Sequence, residues 1–306
     1  MTAVLVAARL LQFLAATILF GTSLFPFYAL PPGVSDETGQ VAQLSRGALV
    51  LAALAASVSA LAWVAVSIID LADDPGAIFD AETMSQYFFE TSFGKIWLLR
   101  LALVFALMAV ALVARRRLFA RNVATGLIAV VAALLLVSQA WIGHPASLPA
   151  AERLVVILAY ALHVLGGALW LGALLPLGFL VASARRGETA LPVAEFALRR
   201  FSPAGMGAIA AILLGGLINL TSRADSFDVL AASGWGQIAM SKAAILAGMI
   251  AAAAINRFVL MSRFSASPAR SLAALTRSIV FEQAAGLLIL AATAFMAVFH
   301  PPGTHH

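Results

Sequence analysis

The residues in this chain best suited to chemistry are its five histidines and eight methionines, set in a sequence without cysteine. Thiolate metal sites, iron–sulfur ligation, disulfides and a cysteine nucleophile are therefore excluded, and any soft metal must be held by imidazole or thioether. His144, His300, His305 and His306 fall at or beyond the ends of apolar stretches, whereas His163 lies inside one. Met296 and His300 are spaced i, i+4 and share one helix face. With Met84 and Met240 as further thioethers, this donor set suits copper, and Cu(I) where methionine contributes. Each residue also has a purely structural reading: methionine fills cores, His-Pro ends helices, and His305-His306 is a terminal tail.

His163 is the deepest of the set, about eleven residues or ~16 Å from the nearer end of its segment. An ionisable group at that depth tends to mark a pathway or a site. Trp170 follows at i+7 on the same face, and Gly166-Gly167 allows a neighbouring helix close approach. The structural alternative is a neutral histidine bonded across helices. Arg100, Lys242 and Glu282 are also intramembrane. The two cations are expected to snorkel outward, and pairing with a cation would lower the cost of burying Glu282. Gln139, Asn219 with Thr221, and Asn256 with Arg257 are candidates for helix-to-helix hydrogen bonds. The chain has no G-x-x-x-x-G-K-[ST], no H-E-x-x-H and no Ser, His and Asp grouping. It therefore reads as neither an ATPase nor another enzyme.

The elements that position these residues are membrane spans. Hydrophobic residues make up 62% of the chain and charged ones 11%, a composition whose solvent is lipid. Eight segments are long enough to cross ~30 Å of hydrocarbon: 4–30, 41–69, 93–114, 123–142, 153–182, 196–221, 235–261 and 272–299. The fold class is thus all-α, a single polytopic membrane domain over 1–306. The first run lacks a basic leader and exceeds a signal-peptide core, so it counts as a span and the mature chain begins near Met1. Arginines recur after the third, fifth and seventh segments: Arg115, Arg116, Arg117 and Arg121; Arg185, Arg186, Arg199 and Arg200; Arg257, Arg263, Arg270 and Arg277. The positive-inside rule makes these loops cytoplasmic. Nucleic acid is not implied, because the positive charge follows topology rather than one face. The loop carrying Asp70, Asp73, Asp74, Asp80, Glu82 and Glu90 then faces out, as do both termini.

The sequence also repeats itself. Phe93-Gly94-Lys95-Ile96 with Arg100 resembles Trp235-Gly236-Gln237-Ile238 with Lys242. Leu11-Gln12-Phe13, running on to Phe20-Gly21, matches Leu162-His163-Val164, running on to Leu171-Gly172, so Gln12 stands where His163 does. Each half ends in a His-Pro pair, His144-Pro145 and His300-Pro301. Two parallel four-helix repeats, 1–145 and 152–301, are expected.

Beyond these readings, the chain resembles the CopD copper-resistance membrane protein family, of the PcoD and YcnJ type. The resemblance is carried by Trp141-Ile142-Gly143-His144, by Leu162-His163 through Ala168-Leu169-Trp170-Leu171-Gly172 to Leu175-Pro176-Leu177, by Arg200-Phe201-Ser202 with Gly215-Gly216-Leu217-Ile218-Asn219, and by Lys242 with Asn256-Arg257-Phe258. It implies an eight-helix bacterial inner-membrane protein that moves copper from periplasm towards cytoplasm beside a small periplasmic CopC-like partner. His144 and His163 fall in its motifs. The expected function is copper import through an outward His/Met site and an intramembrane histidine. The competing readings are a haem-binding electron-transfer protein and a non-transporting partner of a periplasmic copper-binding protein.

Overall fold

A computed structural model describes residues 2–32, 39–142, 150–222, 226–296 and 299. All regular structure among them is helical. In hydrocarbon a backbone without a water partner must satisfy its own N–H and C=O groups, which a continuous helix does. The helices are α1 (Thr2–Ala29), α2 (Gly39–Ala72), α3 (Ala81–Ser85), α4 (Ser92–Val113), α5 (Val123–Val137, running on to Trp141), α6 (Ala150–Arg185), α7 (Leu191–Thr221), α8 (Phe227–Ala232), α9 (Gly234–Ile255) and α10 (Pro268–Met296). All but α3 and α8 are long and apolar enough to span a membrane, giving the eight expected spans with ends shifted by a few residues. The segments before α4 and α9, read from sequence only as loops, contain the short helices α3 and α8.

Alternating spans separate the loops into an acidic side, with Asp70 to Glu90, and an arginine side. On the acidic side α4 and α9 begin alike. Thr91 Oγ1 accepts the Gly94 N–H at 2.8 Å and Ser233 Oγ accepts the Gly236 N–H at 3.0 Å. Each capped glycine lies against the carbonyl of the preceding short segment. A Cβ would sit 1.8 Å from Tyr87 O at Gly94 and 1.9 Å from Leu230 O at Gly236.

α6 is the centre of the bundle, packed on α1, α7, α10, α2 and α5. It crosses α1 at a glycine pair. A Cβ on Gly172 would lie 2.1 Å from Thr17 O and 2.9 Å from Gly21 Cα, and one on Gly21 would lie 2.5 Å from Ala168 O. Thr22 Oγ1 donates to Gly172 O at 3.0 Å across the same crossing. Without water to drive association, helices in lipid adhere through this close van der Waals approach. Two apolar cores flank the crossing. One gathers α1, α2, α4 and α5 around Trp63 and Trp97; the other gathers α6, α7 and α10 around Trp170 and Leu174. α9 is peripheral, with 6% of its most apolar window buried against 50% for α2. An apolar cleft of about 550 Å³ opens between it and α10, from Ala244 and Gly248 to Phe281 and Leu288.

Candidate functional site

His163 projects from α6 toward α7, where its Nδ1 lies 2.9 Å from the Ile212 carbonyl oxygen. A carbonyl only accepts, so Nδ1 carries a proton, and in the neutral ring Nε2 then keeps its lone pair. On the same helix, two glycines leave room for the ring. A Cβ on Gly216 would stand 3.0 Å from Nδ1 and 3.2 Å from Cε1, and one on Gly215 would stand 2.3 Å from Ala159 O. Gly166 does the same one turn on, facing Ala208 O at 2.8 Å. The Gly215-Gly216 pair therefore lets α7 approach closely enough for a backbone carbonyl to reach the imidazole. Neither the Ile212 carbonyl nor this packing could be read from sequence, because a helical carbonyl carries no residue signature; the double glycine was the available signal. His163 is half-buried rather than sealed, and Lys242 on α9 lies within electrostatic reach of it.

Two turns further toward the arginine side on the same face, Trp170 Nε1 donates to Glu282 Oε2 at 3.0 Å. Oε1 accepts from Asn256 Nδ2 at 2.8 Å and from Ser278 Oγ at 3.3 Å. Glu282 is 2% exposed, at the midpoint of α10. The expected pairing with a cation is thus replaced by three neutral donors, because the helices that reach Glu282 present an indole, an amide and a hydroxyl there.

The counterpart region in the first half is built differently. Gln12 is buried and accepts from Ser59 Oγ at 2.5 Å. Arg100 does not snorkel as expected. It is 1% exposed, with its guanidinium 4.9 Å from the Trp97 ring centre and 5.6 Å from that of Trp63. Its Nη1 donates to Ser138 Oγ at 2.8 Å and to the Leu135 carbonyl at 3.3 Å. Arg9 approaches the other ring contact of Trp63 at 5.2 Å. Aromatic faces replace solvent around the cation, so the side chain has no reason to reach for the surface. Because a lysine cannot stack its head group on two indoles while also reaching Ser138, Arg100→Lys is expected to lower stability by about 1–2 kcal/mol. A thermal-unfolding comparison in detergent checks this.

The remaining candidates are dispersed. Met296 is buried with Leu230 and Trp235, and Lys242 Nζ donates to its sulfur at 3.9 Å. Met240 is exposed on the lipid-facing side of α9, and Met84 on α3 packs against the first core. His144, His300, His305 and His306 lie outside the described residues. Among the described residues no group of three or more His, Asp or Glu side chains is assembled for a metal. All six acidic residues of the 70–90 segment are exposed. Two hydrogen bonds from Thr83 hold the Asp80 carboxyl below its ordinary range, so it stays ionised. Of the proposed helix-to-helix bonds, Asn256 to Glu282 and Arg257 to Ser202 form. Asn219 and Thr221 instead bond to carbonyls of their own helix.

Comparison with known proteins finds copper-resistance relatives. The family model described as copper resistance protein D-like, N-terminal domain, matches residues 1–153, and the model described as copper resistance protein D matches residues 195–296. Copper resistance protein D of Pseudomonas syringae pv. tomato is 26% identical over 97% of this chain and 96% of its own length. Copper transport protein CutJ of Bacillus subtilis (strain 168) is 28% identical over 74% of this chain, which spans 40% of that longer protein. Inner membrane protein YebZ of Escherichia coli (strain K12) is 26% identical over 71% of each chain. No solved structure matches.

Proposed function

The chain belongs to the copper resistance protein D family, and from that premise we propose that it carries copper across the bacterial inner membrane, from periplasm to cytoplasm, using His163 as an intramembrane ligand. The observation that carries this reading is the Ile212 carbonyl bond, which fixes the imidazole and leaves Nε2 as a neutral, metal-competent donor deep in the bundle.

The arginine side is cytoplasmic by the positive-inside rule, and both termini are periplasmic. The ionised 70–90 segment then faces the periplasm and raises the local cation concentration. Copper is captured near His144 and His300, with Met296 contributing once Lys242 releases its sulfur; Met84, Met240, His305 and His306 are subsidiary donors. A separate CopC-like periplasmic protein delivers the ion. The reaction is transport rather than catalysis.

The test is copper accumulation in cells producing equal amounts of wild-type and His163→Ala protein. Removing a first ligand is expected to lower accumulation at least about tenfold, the lower bound for disturbing a metal site. Equal accumulation in the two would overturn the role of His163, and a Soret band in the purified protein would transfer it to haem.

A further inference from the structure

A carboxylic acid at the centre of a membrane helix is costly when ionised, and Glu282 has a site suited to both of its charge states. Fourteen residues separate it from each end of α10, about 21 Å of helix either way. Its three hydrogen-bond partners, Trp170, Asn256 and Ser278, are uncharged. Arg257, Lys242 and His163 on the surrounding elements each bond elsewhere. Arg257, in the wide turn after α9, donates to Ser202 on α7. Lys242 on α9 donates to Met296 toward the acidic side. His163 on α6 is two turns away and bonded to Ile212. Tyr28 on α1 has a buried hydroxyl with no hydrogen-bond partner, and Arg277 on α10 itself is exposed.

Asn256 supplies the second observation. Its Oδ1 is buried without a partner while its Nδ2 donates to Glu282 Oε1 at 2.8 Å. Half a turn of the amide about its last side-chain torsion exchanges the two atoms and places an acceptor where the donor stood. In one orientation Asn256 donates to a carboxylate; in the other it accepts from a carboxylic acid. The amide sits in a π-turn, closed by the Met261 N–H on the Asn256 carbonyl at 3.0 Å, a distortion of the helix often found at functional positions.

We infer that Glu282 is a proton-binding site that exchanges with copper, so that one proton leaves its carboxyl towards the periplasmic side as one monovalent copper ion passes inward, and the carboxylate takes another proton from the cytoplasmic side once the ion has gone. This rests on the transport reading above and deepens it. The O–H bond at Glu282 breaks heterolytically, the electron pair stays on the carboxylate and the proton leaves to water on the periplasmic side. Copper keeps its oxidation state. The site then holds either a neutral acid or a carboxylate with a cation nearby, and a lone charge is avoided in both.

The experiment uses the full chain in proteoliposomes with Cu(I) outside and a pH-sensitive dye inside. Wild-type uptake is expected to make the interior alkaline and to accelerate severalfold when the interior starts acidic. Glu282→Gln is expected to pass copper down its own gradient without a dye signal and without response to the pH gradient, while Glu282→Asp restores both. Copper flux without proton movement in wild type, or coupling retained in Glu282→Gln, would overturn the exchange while leaving transport intact. Absence of copper flux in wild type would overturn the transport reading itself, and the exchange with it.

Discussion

Replacing Gly172 by leucine is expected to leave no folded protein. The substituted Cβ alone would lie 2.1 Å from the Thr17 carbonyl oxygen and 2.9 Å from Gly21 Cα, both backbone atoms of α1 that no rotamer can move. Relief requires α1 and α6 to separate, and these two helices join the two apolar cores. Overpacking in an adaptable core costs about 1–3 kcal/mol; here the obstruction is main chain, so the cost exceeds that range. In a membrane the loss is not offset by solvent-driven collapse, since lipid is as apolar as the side chains. The expected result in detergent extracts is loss of the monodisperse size-exclusion peak at unchanged transcript level. A Gly172→Leu protein that elutes and melts like wild type would show that the crossing is not needed for assembly.

Gly216→Val is expected to act on the site rather than the fold. The nearest atoms to the new Cβ are Nδ1 and Cε1 of His163, at 3.0 and 3.2 Å, and a branched side chain extends further into the ring. The imidazole must swing away from the Ile212 carbonyl, losing the bond that holds the proton on Nδ1. The tautomer and the direction of Nε2 are then no longer set. Loss of such a supporting partner typically costs 10- to 100-fold in metal affinity or activity, and a similar fall in copper accumulation is expected at near wild-type expression and melting temperature. The contrast with Gly172→Leu is the informative part: one glycine spaces two backbones, the other spaces a backbone from a ligand. Equal accumulation in Gly216→Val and wild type would mean that the orientation of His163 is irrelevant to transport.

The spans were legible because hydrocarbon imposes a length and an apolar composition that few other structures share. The same pattern is blind to partners across helices. Arg100 illustrates this: its sequence neighbourhood suggested snorkelling, yet Trp63, on another helix, provides an aromatic face that makes burial tolerable. Glu282 was legible as a problem and not as its solution, since Trp170 and Asn256 lie on distant stretches of chain and only Ser278, four residues back on α10, is local. The matched motifs around Gln12 and His163, and around Gly94 and Gly236, correspond in the structure to the α1–α6 crossing and to the capped starts of α4 and α9. Those likenesses support our proposal of two parallel repeats, in which the second half alone retains the histidine.

The shallow burial of α9 has a mechanical meaning. A helix that presents most of its surface to lipid surrenders little packing when it slides, and the apolar cleft beside α10 gives it room. Its ties to α10 include Lys242 to Met296 toward the acidic side and Asn256 to Glu282 at its arginine-side end, bonds of about 1 kcal/mol apiece in net terms. On the transport and exchange we propose, α9 is hinged like a shutter on fastenings that a metal ion and a proton would each undo.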